Sequence, residues 1–525
     1  MFTINLHYVN SLHSCEVHLI TKLPIMSTLK TIYEQLDLVN QQKNKLVAAQ
    51  LFEQVSALRD TEKKLLEEAA NLEKQHRLML SKSKYVRGLN CDKSLWLYVH
   101  KYKEQQLSDA QESIFQQGTD VGSLARGLFP NGVLAEPEGS YPNAQSAAYT
   151  MSLIQKGVTT IYEATFIFEN IVVAVDVLDY KNGCWHVFEV KSSTQVKDTH
   201  YIDAAIQYYV LSGVGIFKQL NMYIVHFNKN YIRQGALHLQ SLFTATQITH
   251  EVMNMQAPIT ANTRRLKLVM LHNEPDTEMG LQCTKPYLCS FYAYCTRLLP
   301  EDHNPETNLS DEPIIQHEAI REYVQAVDYP IGFLDFETIM PAVPLFDQSR
   351  PYQQLVFQYS LHSQLNADEP IIHTERLAES NGDPRPQLIA SLIEQTKDLQ
   401  TIFVYNISFE RSRINEMAID FPEYAEDLDK LSYKLLDLMP VFRNDYRTES
   451  MGSKYSIKTV LPILCNDLQY DNLAIADGAT ASNAFMQLYN EQDTEKINNI
   501  RQQLITYCTL DTYAMVRLWE VLKRV

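Results

Sequence analysis

The segment Ile331-Gly-Phe-Leu-Asp-Phe-Glu-Thr338 is an apolar run interrupted by two acids, Asp335 and Glu337. It predicts a strand, and side chains two apart on a strand point to the same face. Two carboxylates on such a face repel each other and are costly to bury unless a cation compensates. Any fold that buries this strand must supply that cation, and a pair of divalent ions is the economical choice. Downstream, Thr401-Ile-Phe-Val-Tyr-Asn-Ile-Ser-Phe-Glu410 predicts a strand running into a helix, with Glu410 in the helix's first turn. Tyr507-Cys-Thr-Leu-Asp511 falls in the last long helical pattern. Residues four apart there sit one turn above each other, so Tyr507 and Asp511 address one site. Asp437, in Leu435-Leu-Asp-Leu-Met439, is a spare acid able to stand in for Glu410. Arg411 and Arg413, with Lys454 and Lys458, are either phosphate contacts or solvated charges.

A second constellation lies upstream. Asp176 ends the β-branched run Ile171-Val-Val-Ala-Val-Asp176, and Glu189-Val190-Lys191 ends another strand-like run. Alternation puts Glu189 and Lys191 on one face. Two acids and a lysine converging at strand ends can hold Mg²⁺ or Mn²⁺ beside a phosphodiester, the lysine orienting water or offsetting phosphate charge. Glu163, on the preceding predicted strand, is either a further acid of that group or a surface residue. Three of the eight cysteines, Cys283, Cys289 and Cys295, fall within thirteen residues. Clustered thiols in a chain with so few cysteines predict a metal or iron–sulfur site rather than a disulfide scaffold. Cys15, Cys184, Cys465 and Cys508 read as ordinary buried thiols.

The 525 residues are 45% hydrophobic and 21% charged, ordinary for a globular chain. A net charge of −17 argues against attachment to nucleic acid by bulk positive charge. It leaves room for a nucleic-acid enzyme, whose metal sites consume carboxylates. No window offers the ~18 apolar residues of a membrane span, and Met1–Met26 lacks a secretory layout, so the expected location is cytoplasmic. No Gly-x4-Gly-Lys-Ser/Thr loop is present, so no helicase motor is expected.

Asp176, Glu189 and Lys191 at this spacing resemble the PD-(D/E)XK nuclease superfamily, in particular its RecB-like branch. That resemblance implies a mixed sheet flanked by helices, with Asp176 and Glu189 as metal ligands and Lys191 as the catalytic lysine. Gln207, in Ala205-Ile-Gln-Tyr-Tyr-Val210, matches the family's helix glutamine and is taken as substrate-binding. The branch often has a metal-binding His four residues after a glycine in its first helix; here Gly118 is followed by Gly122. One cysteine before this core, Cys91, and three after it, Cys283, Cys289 and Cys295, resemble the 4Fe-4S clasp of RecB-like iron–sulfur nucleases. Zn²⁺ is the alternative occupant.

Asp-x-Glu, Asn-x-x-Phe-acid and Tyr-x3-Asp, in that order, resemble the DEDD-type exonucleases of the DnaQ-like, ribonuclease-H-like fold. By that resemblance Asp335, Glu337, Glu410 and Asp511 bind two metal ions and Tyr507 orients the attacking water. Glu410 stands where the family usually has Asp. The pairing of the two domain types resembles a bacterial family whose C-terminal domain has no assigned function, over roughly residues 84–523.

The expected α/β organisation is an unassigned leader over 1–26, then a helical hairpin over 27–80 whose Lys43–Asp60 stretch resembles the UVR motif. A RecB-like nuclease domain with the cysteine cluster follows over 81–298, a linker over 299–325, and a ribonuclease-H-like exonuclease domain over 326–525. The expected function is metal-dependent hydrolysis of DNA in repair, recombination or defence. The hairpin would either dock a protein partner or serve packing. The alternatives are a non-catalytic adaptor for nucleic-acid ends and an exonuclease on RNA.

Overall fold

The computed structural model describes residues 39, 58, 59, 61–65 and 77–525, except 108, 136–141, 286, 299–312, 453, 471 and 472. The leader and nearly all of the hairpin read from the sequence lie outside the described residues. The chain is a mixed α/β protein with two main sheets.

The first sheet contains β1 (Leu80–Ser81), β2 (Val133–Leu134), β3 (Thr160–Phe168), β4 (Ile171–Lys181), β5 (Cys184–Lys191), β6 (Leu220–Phe227) and β7 (Phe243–Gln247). Its order is β2-β3-β4-β5-β6-β7, with β1 parallel to the start of β4. The β-branched run of β4 suits this central place. Two-residue turns close both hairpins. Glu169 and Asn170 join β3 to β4, and Asn182 and Gly183 join β4 to β5, all four at positive φ, as a turn matched to the strand twist requires. The helix Asp198–Val214 packs on the sheet and ends at Gly215 in the left-handed region.

The second sheet runs β11-β10-β9-β12-β13, where β9 is Ile331–Ile339, β10 Leu355–Gln364, β11 Ile372–Leu377, β12 Thr401–Val404 and β13 Leu435–Asp437. β9 pairs antiparallel to β10 and parallel to β12. The 30-residue helix Thr494–Lys523 lies across β9 and β10. Its buried face carries Leu504, Tyr507, Cys508, Asp511 and Met515. A short strand, β8 (Ile314–Ile315), pairs with β14 (Tyr446–Arg447), and the helix His317–Gln325 follows it. These elements occupy the second half of the stretch read as a linker. Burial of Ile320, with Tyr323 and Val324 packed beside it, ties them to the second core.

The two sheets share an apolar seam. Val225, Phe227 and Phe243 of the first sheet pack with Ala342, Val343 and Tyr352 from the loop after β9. Tyr352 donates to the carbonyl oxygen of Ser192 at 2.5 Å, and Arg233 donates to the carbonyls of Pro344 and Leu345. Among the described residues no helix is long and apolar enough to cross a membrane.

Candidate functional site

The first centre forms where β4 and β5 separate. Their pairing runs only as far as Val177↔Phe188. Beyond it, Asp176 Oδ2 accepts the Val190 N–H at 2.6 Å, and a side chain replaces the backbone ladder. On the other side, the β3–β4 ladder is interrupted without a change of register at Glu163: Tyr162 and Ala164 pair with Val177 and Val175, and Glu163 sits at φ +53° opposite Asp176. Such a conformation is unfavourable for a side chain this size and persists where the surroundings fix it. Arg126 holds Glu163 at 2.9 Å.

Glu189 is 2% exposed. Its Oε1 accepts from Lys82 at 2.5 Å and Lys191 at 2.8 Å, and its Oε2 accepts from Gln207 at 2.6 Å. Lys191 also pairs with Asp203. Burial would raise the Glu189 carboxyl, but Lys191 and Lys82 outweigh it and hold it well below the usual range. Asp176 is relieved less: Lys82 and the Val190 N–H favour its charged form but are outweighed. Burial and the Glu189 charge push it up to about 7. Fully buried Gln207 touches Glu189 and the Ala174 carbonyl. In this position it holds Glu189, whereas the motif suggested a contact to substrate.

Lys82 was not legible as a site residue. It sits in the polar string Ser81-Lys-Ser-Lys84, and only the pairing of β1 beside the start of β4 brings it to Glu189. Lys82→Met is expected to cost ~1–3 kcal/mol in the metal-free protein, since it strips a charged donor from a buried carboxylate. Urea denaturation of the variant beside wild type measures this. An unchanged midpoint would mean that Lys191 alone suffices. At Gly122, where the resemblance would place a histidine, an added Cβ would meet nothing within 4 Å.

The second centre gathers Asp335 and Glu337 on β9, Glu410 on the helix Ile407–Asp420, and Asp511 on the last helix. Burial raises all four, and repulsion within the set adds to it at Asp335 and Glu337. Asp335 is pushed well up by burial and then by Asp511, Glu337 and Glu410. Burial carries Glu337 and Glu410 to about 8, with Asp511 and Asp437 adding respectively, and Asp511 to about 6. Glu410 is 1% exposed, and its Oε2 has no hydrogen-bond partner. Tyr470 donates to Asp511 at 2.7 Å.

Lys458 donates to the Tyr507 hydroxyl at 2.9 Å and to the Ala476 carbonyl at 2.6 Å. It orients Tyr507 rather than standing free for substrate. Arg413 pairs with Glu416, whereas Arg411 is exposed. Asp437 is not a spare ligand. It accepts the N–H groups of Asn406, Ile407 and Met439, which fixes the entry to the Glu410 helix. Its register beside Val404 puts it there.

The two centres differ in charge. The first has three cations, Lys82, Lys191 and Arg126, against Glu163, Asp176, Glu189 and Asp203. In the second, Lys458 faces Glu337 and Asp511, and Arg413, already paired, faces Glu410. A buried acid with an unpartnered oxygen among three other raised acids has the donor set and charge deficit that a divalent cation satisfies.

The four predicted thiols also converge. Burial raises Cys295, with Cys289, Cys283 and Cys91 adding to the shift. Cys91 caps the helix Asp92–His100, its sulfur accepting the Ser94 N–H at 3.4 Å. Arg87 donates to Ser94 and Ser290 and lies over the Phe291 and Tyr98 rings, joining the two segments that carry the thiols. No three of the four sulfurs lie within 4.8 Å of one another.

Residues 332–456, which include Asp335, Glu337, Glu410 and Asp437, match the family described as Domain of unknown function (DUF2779). Uncharacterized protein MG366 of Mycoplasma genitalium is 28% identical over 205 residues, covering 35% of this chain and 31% of that protein. Uncharacterized protein UU173 of Ureaplasma parvum is 28% identical over 227 residues, covering 37% and 31%. The matched region thus spans about a third of these curated relatives. Among solved structures, the family B DNA polymerase of Pyrobaculum calidifontis aligns at TM-score 0.25 and 15% identity, over 37% of this chain and 24% of the polymerase. SSO0001 aligns at TM-score 0.23 and 14% identity, over 44% and 97%.

Proposed function

We propose that the chain is a divalent-metal-dependent nuclease that hydrolyses DNA, with an exonuclease centre at Asp335, Glu337, Glu410 and Asp511 and a PD-(D/E)XK-type centre at Asp176, Glu189 and Lys191. The observation that carries this reading is the second centre, four buried acids of raised pKa, one of which, Glu410, has an unpartnered oxygen. Mg²⁺ or Mn²⁺ held by these acids would offset charge developing on a phosphodiester. Tyr507, held by Lys458, would orient a water. At the first centre Lys82 and Lys191 hold Glu189 ionised, and Lys191 can meet a phosphate oxygen. Asp176 and Glu189 are the ligands there for a metal ion.

For the thiol cluster, one cysteine before the first core and three after it make a 4Fe-4S cluster the proposed occupant, with Zn²⁺ the alternative.

The test uses full-length protein purified without oxygen, with Mg²⁺ or Mn²⁺ and single-stranded DNA labelled at either end. Wild type runs beside Lys191→Ala, Asp335→Ala and the double variant. Each single variant is expected to keep part of the cleavage and the double variant none. If wild type binds DNA and cuts neither it nor matched RNA, the chain is an end-binding adaptor. If it cuts RNA alone, the substrate assignment fails.

A further inference from the structure

Cys508 is the one group at the second centre that the proposed chemistry leaves unused. Its thiol is fully buried and lies 3.8 Å from Asp335 Oδ2. The sulfur and one oxygen each from Asp335 and Glu337 all lie within 4.8 Å of one another, the only such set of three among the described residues. Glu410, whose Oε2 is buried without a partner, lies in electrostatic reach of Asp335. Sequence alone presented Cys508 as packing between Tyr507 and Asp511. Its neighbours in space are carboxylates, an unusual setting for a buried thiol.

We propose that Asp335, Glu337 and Cys508 form a binding site for a thiophilic divalent ion, Zn²⁺ in nature and Cd²⁺ as its probe, overlapping the site of the hydrolytic metal and inhibiting the centre when filled. The proposal rests on reading these acids as metal ligands.

The spacing supports it. A tetrahedral zinc with Zn–S of ~2.3 Å and Zn–O of ~2.0–2.2 Å places sulfur and oxygen ~3.6 Å apart. The observed 3.8 Å is within a small rotation of that value. Three protein ligands leave the fourth position for water. Mg²⁺ takes oxygen ligands and leaves the thiol idle, whereas a softer ion gains a bond to sulfur. When that bond forms, the S–H bond breaks, the sulfur electron pair goes to the metal and the proton leaves to solvent. No oxidant or reductant is needed. Because the same two carboxylates serve both kinds of ion, zinc and magnesium compete.

The test titrates the metal-free full-length protein with Cd²⁺ and follows the ultraviolet charge-transfer band of cadmium thiolate. Wild type is compared with Cys508→Ser and Cys508→Ala, all three retaining the four-cysteine cluster as a common background. The variants are expected to lose one equivalent of the band. In Mg²⁺-supported DNA trimming, their half-inhibitory Zn²⁺ concentration should rise at least ~10-fold. Equal cadmium bands in all three proteins would overturn the site. Should neither variant fold, cadmium NMR of wild type decides: a resonance from a one-sulfur, oxygen-rich site supports the proposal, and its absence overturns it. A chain that binds cadmium through Cys508 yet cleaves neither DNA nor RNA retains this site and loses the nuclease reading. A chain that trims DNA with zinc inhibition unchanged in both variants loses this site and retains the nuclease.

Discussion

Asp335→Asn is expected to reduce DNA trimming at the second centre by ~10³-fold, the rate equivalent of ~4 kcal/mol of lost charge stabilisation. The same change should make the metal-free protein more stable. Asn keeps the shape and removes the ionisable group whose charged form burial, Asp511, Glu337 and Glu410 all disfavour. Each pKa unit of repulsion relieved is worth ~1.4 kcal/mol. Opposite movements of activity and stability separate a site under charge strain from a residue that merely packs. Trimming is read in the Lys191→Ala background, so that only this centre contributes, and stability is read by thermal melting in EDTA. A variant that loses stability along with activity would show that Asp335 is satisfied without a cation.

The second large effect is on stability against pH. Asp335, Glu337, Glu410 and Asp511 all have folded-state values above their usual ones. The folded protein therefore binds more protons than the unfolded chain, and stability falls as pH rises. The loss begins as pH passes the ordinary carboxylate range of about 4 to 4.5. It continues through about 6 at Asp511, about 7 at Asp176 and about 8 at Glu337 and Glu410. Below about pH 6.5 it is offset in part by His200 and His362, which burial lowers to about 4. Glu189, held low by its two lysines, stays ionised across this window and adds no slope. In EDTA the urea midpoint should fall steadily between about pH 5 and about pH 8. Mg²⁺ or Mn²⁺ should restore it most at the alkaline end, where the acids are ionised and bind metal best. A flat profile in EDTA would show that the acids are compensated by groups already present.

The central strands of both sheets were legible because they are continuous apolar or β-branched runs. β4 and β9 begin at Ile171 and Ile331, where the sequence places them. β13, only three residues long, has no such pattern and is defined by its pairing with β12. That explains the misreading of Asp437, whose role follows from the register that sets it beneath the Glu410 helix. The acids themselves were readable because charge on an apolar strand is anomalous at sequence level. Lys82, Gln207 and Lys458 are polar residues in ordinary polar or helical contexts. Their roles lie in which carboxylate or hydroxyl they reach, and only tertiary structure reveals that. Cys508 was passed over for the opposite reason: a buried cysteine is unremarkable until its neighbours prove to be carboxylates.

The seam between the two sheets bears on how such a chain can be divided. Tyr352 leaves the loop after β9 to meet Ser192, one residue beyond Lys191, and its ring stands edge-on to Phe227. Separating the halves at residues 299–312 would strip Tyr352, Ala342 and Val343 from Phe227 and Phe243. Each piece would then carry a raw apolar edge with no covering of its own. Gene fission would meet the same obstacle, so the halves are expected to travel together through evolution as one unit of inheritance.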